Sequence, residues 1–291
     1  MKKIAAITAA GAGAGVLLPS QSLAFTKLIE RIIQTEFETK YEVLPPLPRV
    51  SFGMAIDLGL CIGCRRCSYA CKRENSVPDS ISPPYIMLME VDPITLRRGS
   101  SILDERGNGL KNRLMYTKLR KDKEYMPLQC NHCEAPPCAK VCPTTATYKD
   151  KDGIVMIDYD KCIGCRYCMV ACPYNARRFN WTEPKVAAED INPLVPLRYH
   201  GVVEKCTFCV HRTRRGRTTR CVEACPNKAR VFGNLNNPES KISKLIENEK
   251  SFRLKEGLNT KPQIWYLTQT KKKPMRWYKP LPPPKHIRGL S

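Results

Sequence analysis

The placement of sixteen cysteines constrains this 291-residue chain more than any other feature. They fall into four groups of four, with none left over. Cys61, Cys64, Cys67 and Cys71 follow C-x2-C-x2-C-x3-C; Cys162, Cys165, Cys168 and Cys172 repeat it and end in Pro173. The flanks repeat as well, DLGLCIGCRRCSYAC against DYDKCIGCRYCMVACP. Cys130, Cys133, Cys138 and Cys142, followed by Pro143, form a variant. Cys206, Cys209, Cys221 and Cys225, followed by Pro226, form another, whose longer middle loop contains HRTRRGRTTR. Disulfide scaffolds belong to short secreted chains that cannot bury a core. This chain is long enough to do so, and thiols at short repeated spacing suit metal.

The spacing has a geometric rationale. C-x2-C-x2-C wraps a tight loop around one cubane iron–sulfur cluster, with backbone N–H groups pointing at its sulfurs. The fourth cysteine is expected to start a helix, face away and ligate the other cluster of a pair. Gly63 and Gly164 are expected to let the loop approach the cluster closely. The proline after the fourth cysteine suits a helix start, where its missing N–H costs little; the first motif has Lys72 there. Zinc ribbons use pairs of C-x2-C hairpins instead of triads with a trailing cysteine. Radical enzymes space three cysteines differently, and the C-x2-C-H of covalent haem is absent. The cofactors expected are four [4Fe–4S] clusters.

The charge balance, 49 Lys+Arg against 27 Asp+Glu, gives +22 with every cysteine neutral. Four oxidised thiolate-ligated cubanes at about −2 each bring this to roughly +14. The remainder suits an acidic partner or anionic lipid. No helix-turn-helix, RNA-recognition or zinc-finger pattern supports nucleic-acid binding. At the amino terminus, Lys2-Lys3 precedes the apolar IAAITAAGAGAGVLL, and Ser22-Leu23-Ala24 offers a cleavage site. Residues 1–24 therefore read as an export signal, too short for a comfortable span. Its weakly hydrophobic Ala/Gly core resembles twin-arginine leaders, although the arginine pair would have to lie upstream of Met1. Folded export also suits clusters assembled in the cytoplasm. The expected location is the periplasmic or extracytoplasmic face of the membrane.

Fold class is read as α+β: two ferredoxin-like two-cluster units with an inserted β-hairpin region and extended termini. Residues 126–199 carry motifs two and three, with GIVMIDYD between them as a strand. Residues 51–125 and 200–235 carry motifs one and four. An insertion, 76–127, holds IMLMEV and RLMYTKL, which alternate like strands around a turn at Gly107-Asn108-Gly109. Residues 25–50 and 236–291 read as extensions, the last ending in the basic, proline-rich KKKPMRWYKPLPPPKHIR.

From about Ser51 to Leu267 the chain resembles the four-cluster, ferredoxin-like electron-transfer subunits of dimethyl-sulfoxide-reductase-type molybdoenzymes and related quinone-linked complexes. The resemblance rests on the four motifs, MAIDLGLCIGC, EKCTFCVHR and ACPNKARVFGNLNNPES. It implies four ligand sets: Cys61, Cys64, Cys67 and Cys225; Cys130, Cys133, Cys138 and Cys172; Cys162, Cys165, Cys168 and Cys142; and Cys206, Cys209, Cys221 and Cys71. It also implies a relay between a catalytic subunit, of molybdopterin or multihaem cytochrome type, and an integral membrane quinone-reactive subunit. The chain itself would be peripheral to the membrane and no enzyme on its own.

Arg65, Arg66, Lys72 and Arg166 lie beside ligand cysteines and are candidates for raising reduction potentials; the plain alternative is solvated surface. His132 is read as packing, with a hydrogen bond to cluster sulfur as its functional alternative. His211 and Arg212 are read as ordering the fourth-motif loop, the run Arg212 to Arg220 as a solvated loop with partner contact as its alternative, and the scattered Trp181, Trp265 and Trp277 as core or interface packing. Two rivals stand beside the relay: an iron–sulfur protein with its own active site, and a metal-stapled binding subunit. The extensions supply no catalytic motif for the first. The second requires clusters without reversible redox behaviour.

Overall fold

FGMAID is an apolar run closed by Asp57, and it forms the strand on which the main sheet is built, buried along its whole length. The computed structural model describes residues 43–81, 83–91, 119–120, 123–268 and 281. The chain divides into two units, 1–40 and 41–291, and all described residues belong to the second. The export signal, the Gly107-Asn108-Gly109 turn, most of RLMYTKL and nearly all of the basic tail lie outside the described residues.

From β1 (Phe52–Asp57) the chain passes through the first cysteine loop into α1 (Arg66–Glu74), then β2 (Met87–Val91) and β3 (Glu124–Leu128). The second and third motifs carry α2 (Pro137–Lys140), β4 (Thr147–Lys149), β5 (Val155–Ile157), α3 (Tyr167–Val170) and β6 (Arg178–Phe179). Next come β7 (Val203–Glu204), α4 (Val210–Thr213), α5 (Arg220–Glu223) and β8 (Arg230–Asn234). α6 (Lys241–Asn248), β9 (Ser251–Phe252) and β10 (Ile264–Leu267) close the order.

The main sheet runs β8-β1-β10-β9. β1 pairs antiparallel with β8, Met54 opposite Phe232, and parallel with β10, Met54 opposite Ile264. Met54, Ile56, Ile264 and Tyr266 are completely buried, as expected of strands covered on both sides. β10 comes from 236–291, so this stretch, read as an extension, supplies a strand beside β1. α6 is capped by Ser240, whose hydroxyl accepts the Ser243 N–H at 3.2 Å. Its Ile242 packs on Ala55 and Leu267.

Among the described residues, three two-stranded ladders complete the frame. IMLMEV does form a strand: β2 pairs with β3, Met89 opposite Met126. Sequence pattern does not reveal EYMPL, because its Pro127 argues against a strand; at an edge, Pro127 simply lacks the donor a further neighbour would need. GIVMIDYD contributes β5, paired with β4. β6 and β7 join the third motif to the fourth.

Buried ion pairs fasten these parts. Glu204 accepts from Arg198 at 2.8 Å and from Asn180 and Tyr85. Arg214 reaches Asp150 and Asp152, each at 2.7 Å, and the Leu44 carbonyl. Arg212 reaches Glu74 at 3.2 Å and also Glu223. The run Arg212 to Arg220 is thus only partly solvated: Arg212 and Arg214 are buried with carboxylates to receive them. Arg215 and Arg217 remain exposed.

Candidate metal centres

In motifs one and three the backbone alternates through left-handed turns. Gly63 and Arg65 have φ of 66° and 60°, and Gly164 and Arg166 have 68° and 64°. The glycines are required by that conformation and by crowding from protein: a Cβ on Gly63 would meet the Tyr125 ring, and one on Gly164 the Gly201 carbonyl. Their closest neighbours are these groups, so close approach to a cluster is not the only reason for glycine. The N–H groups of Gly63 and Arg66 act on the sulfurs of Cys61 and Cys64, favouring thiolate.

The helix begins before the third cysteine, so the expectation that the fourth starts it needs correcting. α1 starts at Arg66 and contains Cys67 and Cys71; α3 starts at Tyr167 and ends before Cys172. The left-handed residue at Arg65 or Arg166 turns the chain into the helix one position early. Proline, correspondingly, follows the end of a short helix, because it cannot continue one. α2, α3 and α5, each followed by Cys-Pro, have four residues, whereas α1, with Lys72, runs for nine.

A second local repeat follows each Cys-Pro. Thr145, Asn175 and Lys228, three residues after Cys142, Cys172 and Cys225, all have positive φ. Each N–H bonds the carbonyl of its cysteine at 3.2 Å. The turn aims the next N–H groups at sulfur: Ala229 N–H to Cys225 at 3.3 Å and Thr147 N–H to Cys142 at 3.4 Å.

The motifs interlock in pairs. α1 packs on α5, and α2 packs on α3. Cys130, Cys133, Cys138 and Cys172 line one cavity with Arg177 and His132. Cys142, Cys162, Cys165 and Cys168 line another with Ile163 and Arg166. Asn75, at the end of α1, donates to the sulfurs of both Cys71 and Cys209, at 3.6 and 3.7 Å. Cys61, Cys67 and Cys225 act on one another, as do Cys71, Cys206, Cys209 and Cys221.

All sixteen thiols are free. Among the described residues no three Cys, His, Asp or Glu converge closely enough for a single ion; in the two lined cavities the sulfurs ring a volume. Burial raises Cys61, Cys71 and Cys206 strongly, and pushes Cys67, Cys133 and Cys209 up to about 12. Metal must therefore displace protons from most of these groups. For Cys142 burial acts upward too, but bonds from Thr147 and Thr144 outweigh it and hold the thiol below its ordinary value.

Three buried cations that sequence reasoning missed lie among the thiols: Arg177, Lys205 and Arg230, 1–2 % exposed. Arg177 Nη2, and Nε and Nη1 of Arg230, have no hydrogen-bond partner among the described residues. Buried guanidinium donors without a carboxylate, beside rings of sulfur donors, fit an anionic cluster in each place. A repeat, CPYNAR and CPNKAR, marks both arginines at the fifth position after the cysteine. That repeat is the signal that could have found them, although by itself it does not tell a buried arginine from a surface one.

The four cations flanking the ligand cysteines in sequence are placed differently. Arg65 is buried and donates to the Leu281 carbonyl at 2.9 Å. Arg66 is exposed and acts on Cys64. Lys72 pairs with Asp79. Arg166 lies over the Trp181 ring at 4.7 Å, so Trp181, 63 % exposed, stacks on a cation at the surface. His132 is packed, stacked 3.8 Å from Phe208, with Nδ1 accepting the Val155 N–H. Burial, then Lys205 and Arg177, hold it well below its ordinary value, as a neutral ring. His211 Nε2 donates to Glu74 at 2.9 Å, and with Arg212 it orders the fourth loop.

A 4Fe-4S dicluster domain family matches residues 121–191, and a second family of that description matches 60–146 and 161–229. The iron–sulfur subunit assigned to a dimethyl sulfoxide reductase of Halobacterium salinarum is 45 % identical over 75 % of this chain and 79 % of that protein. A subunit of the selenate reductase of Mesobacillus selenatarsenatis is 38 % identical over 84 % and 82 %. The chain belongs to the iron–sulfur electron-transfer subunits of dimethyl-sulfoxide-reductase-type and related quinone-linked complexes. Iron–sulfur subunit 1 of the Hdr-like menaquinol oxidoreductase of Archaeoglobus fulgidus, 36 % identical over 91 % and 96 %, shows how far this family extends. As a family member the chain carries four [4Fe–4S] clusters and serves as an electron-transfer subunit, not a catalytic one. No described helix is long and apolar enough to cross a membrane.

Proposed function

We propose that the chain relays single electrons along four clusters in the spatial order one, four, two, three, with ligand sets shared across motifs. Cluster one takes Cys61, Cys64, Cys67 and Cys225; cluster two Cys130, Cys133, Cys138 and Cys172. Cluster three takes Cys162, Cys165, Cys168 and Cys142; cluster four Cys206, Cys209, Cys221 and Cys71. When bound, each cluster accepts and returns one electron. The observation that carries the order is which thiols of different sets lie close enough to act on one another. Cys221 acts electrostatically on Cys67, Cys130 on Cys206, and Cys138 on Cys168. These couplings link one to four, four to two and two to three. The ferredoxin-like units would then be 51–125 with 200–235, and 126–199, in keeping with the α1–α5 and α2–α3 packing.

Burial fits a relay with two ports. All four thiols of set four and three of set two are buried, whereas two of set one and three of set three are partly exposed. The set-three end also carries exposed apolar side chains: Ile163, Tyr167, Val170 and Trp181. Such a patch suits a docked subunit. The relatives' names speak of reductases of dimethyl sulfoxide and selenate and of a menaquinol oxidoreductase. On that basis the partners are a catalytic subunit, of molybdopterin or multihaem type, at one port and an integral membrane quinone-reactive subunit at the other. The complex would sit at the extracytoplasmic face after folded export.

A ligand swap tests the sets. Cys172→Ser, although in the third motif, should alter the cluster held by the second motif. Iron analysis and electron paramagnetic resonance of the reduced protein should show one changed signal and three retained. A change confined to the cluster of Cys162, Cys165 and Cys168 would reverse the assignment.

A further inference from the structure

Eight cationic side chains of the described residues are buried: Arg65, Arg177, Arg178, Arg198, Lys205, Arg212, Arg214 and Arg230. Arg198, Arg212 and Arg214 pair with carboxylates. Arg178 spends its N–H groups on the carbonyls of Pro83, Asn175, Arg177 and Pro84, and of the thiols it meets Cys172. Arg177, Lys205 and Arg230 are different, because each faces thiols of two ligand sets.

Arg230 enters from β8, held by Gln129 Oε1 and by Met54 Sδ at 3.3 Å. The sulfurs acting on it are Cys221 of set four and Cys67 and Cys225 of set one. Lys205 Nζ donates to the Cys206 carbonyl at 2.8 Å, within the fourth motif, and to the carbonyl of Val155, which lines the set-two cavity. Cys130, Cys206 and Cys138 act on it. Arg177 lines the set-two cavity and donates from Nη1 to Thr147 Oγ1 at 3.1 Å. Cys138 and Cys130 of set two and Cys168 of set three act on it.

We propose that Arg230, Lys205 and Arg177 are the fixed positive charges of the three junctions in the relay, each raising the reduction potentials of the two clusters it lies between. This rests on the ligand sets proposed above. Reduction adds one negative charge to a cluster, and a nearby cation favours the reduced form. Buried charge is little screened by salt, unlike a cation at the surface. The same charge offsets repulsion between two neighbouring clusters that are reduced together, so an electron can enter the relay before its predecessor has left. The arrangement also explains why these donors tolerate burial without carboxylates, which would otherwise cost several kcal/mol.

The test is a redox titration of the intact purified complex, followed by electron paramagnetic resonance, for R230M, K205M and R177M. Each variant should lower two of the four potentials, by at least about a tenfold change in reduction equilibrium, or about 59 mV. R230M and K205M should share one affected cluster, and K205M and R177M another. Unchanged potentials, or a uniform shift of all four, would overturn the proposal. Should the methionine variants lose iron, R230K, K205R and R177K decide: near-normal potentials support a role for charge, and displaced ones refute it. If R230M and K205M share no affected cluster, or K205M and R177M share none, the order of clusters fails instead. Fewer than four reducible clusters in the unaltered complex would remove the ligand sets themselves.

Discussion

Glu74 holds two motifs together through one carboxylate. It closes α1 of the first motif and accepts from His211 and Arg212 of the fourth, at 2.9 and 3.2 Å. Burial alone would raise this carboxyl, but those two donors outweigh it and hold it below its ordinary 4.5. A depressed folded value means that the contribution is complete above the unfolded value and is lost as pH falls through the folded one. Glu74→Gln should therefore lower stability at neutral pH by on the order of 1 kcal/mol, and the deficit should shrink below about pH 4. Denaturant melts of the holo-protein at both pH values check this; an equal deficit throughout would assign the effect to packing. At this scale the four cysteine groups were legible because each is written in short local spacing. Arg177 and Arg230 were not, because burial of a cation depends on where distant thiols gather. Their shared place in CPYNAR and CPNKAR was the one local trace.

Among the elements, the length of α1 stands out against its three four-residue counterparts. Lys72 in place of proline lets the helix continue to Glu74 and brings Asn75 to the sulfurs of Cys71 and Cys209. Lys72→Pro should cost about 3 kcal/mol, through the lost N–H and the clash one turn back. It should also change the paramagnetic signal of the cluster proposed above for Cys71 and Cys209 while sparing the one proposed for Cys162. Thermal melting and the reduced spectrum read these effects separately. Strands were legible where hydrophobic alternation was undisturbed, as in IMLMEV and GIVMIDYD. β3 was hidden by Pro127, and β4, β6 and β7, of two or three residues each, exist only through their partners.

For the molecule as a whole, the sheet joins residues more than two hundred positions apart. Ile264 of β10 lies opposite Met54 of β1 and is completely buried. Ile264→Ala should cost about 2–5 kcal/mol and loosen iron retention, which a chelator challenge followed by absorbance would report; retention equal to that of the unaltered protein would show the sheet and the centres to be independent. Sequence pattern placed IWYL in an extension because a parallel partner leaves no turn signal beside it. The cofactor number and fold class needed only local spacing, whereas the register of distant strands did not follow from it.

Exposure at the set-three end carries a cost. Cys142, Cys162 and Cys165 are partly open to solvent, so with the ligand sets proposed above dissolved dioxygen should reach this centre more readily than those inside. Corrosion in air should start there and work inward. A docked subunit would then serve as a seal as well as an electron donor or acceptor, and the isolated chain should age from that tip first.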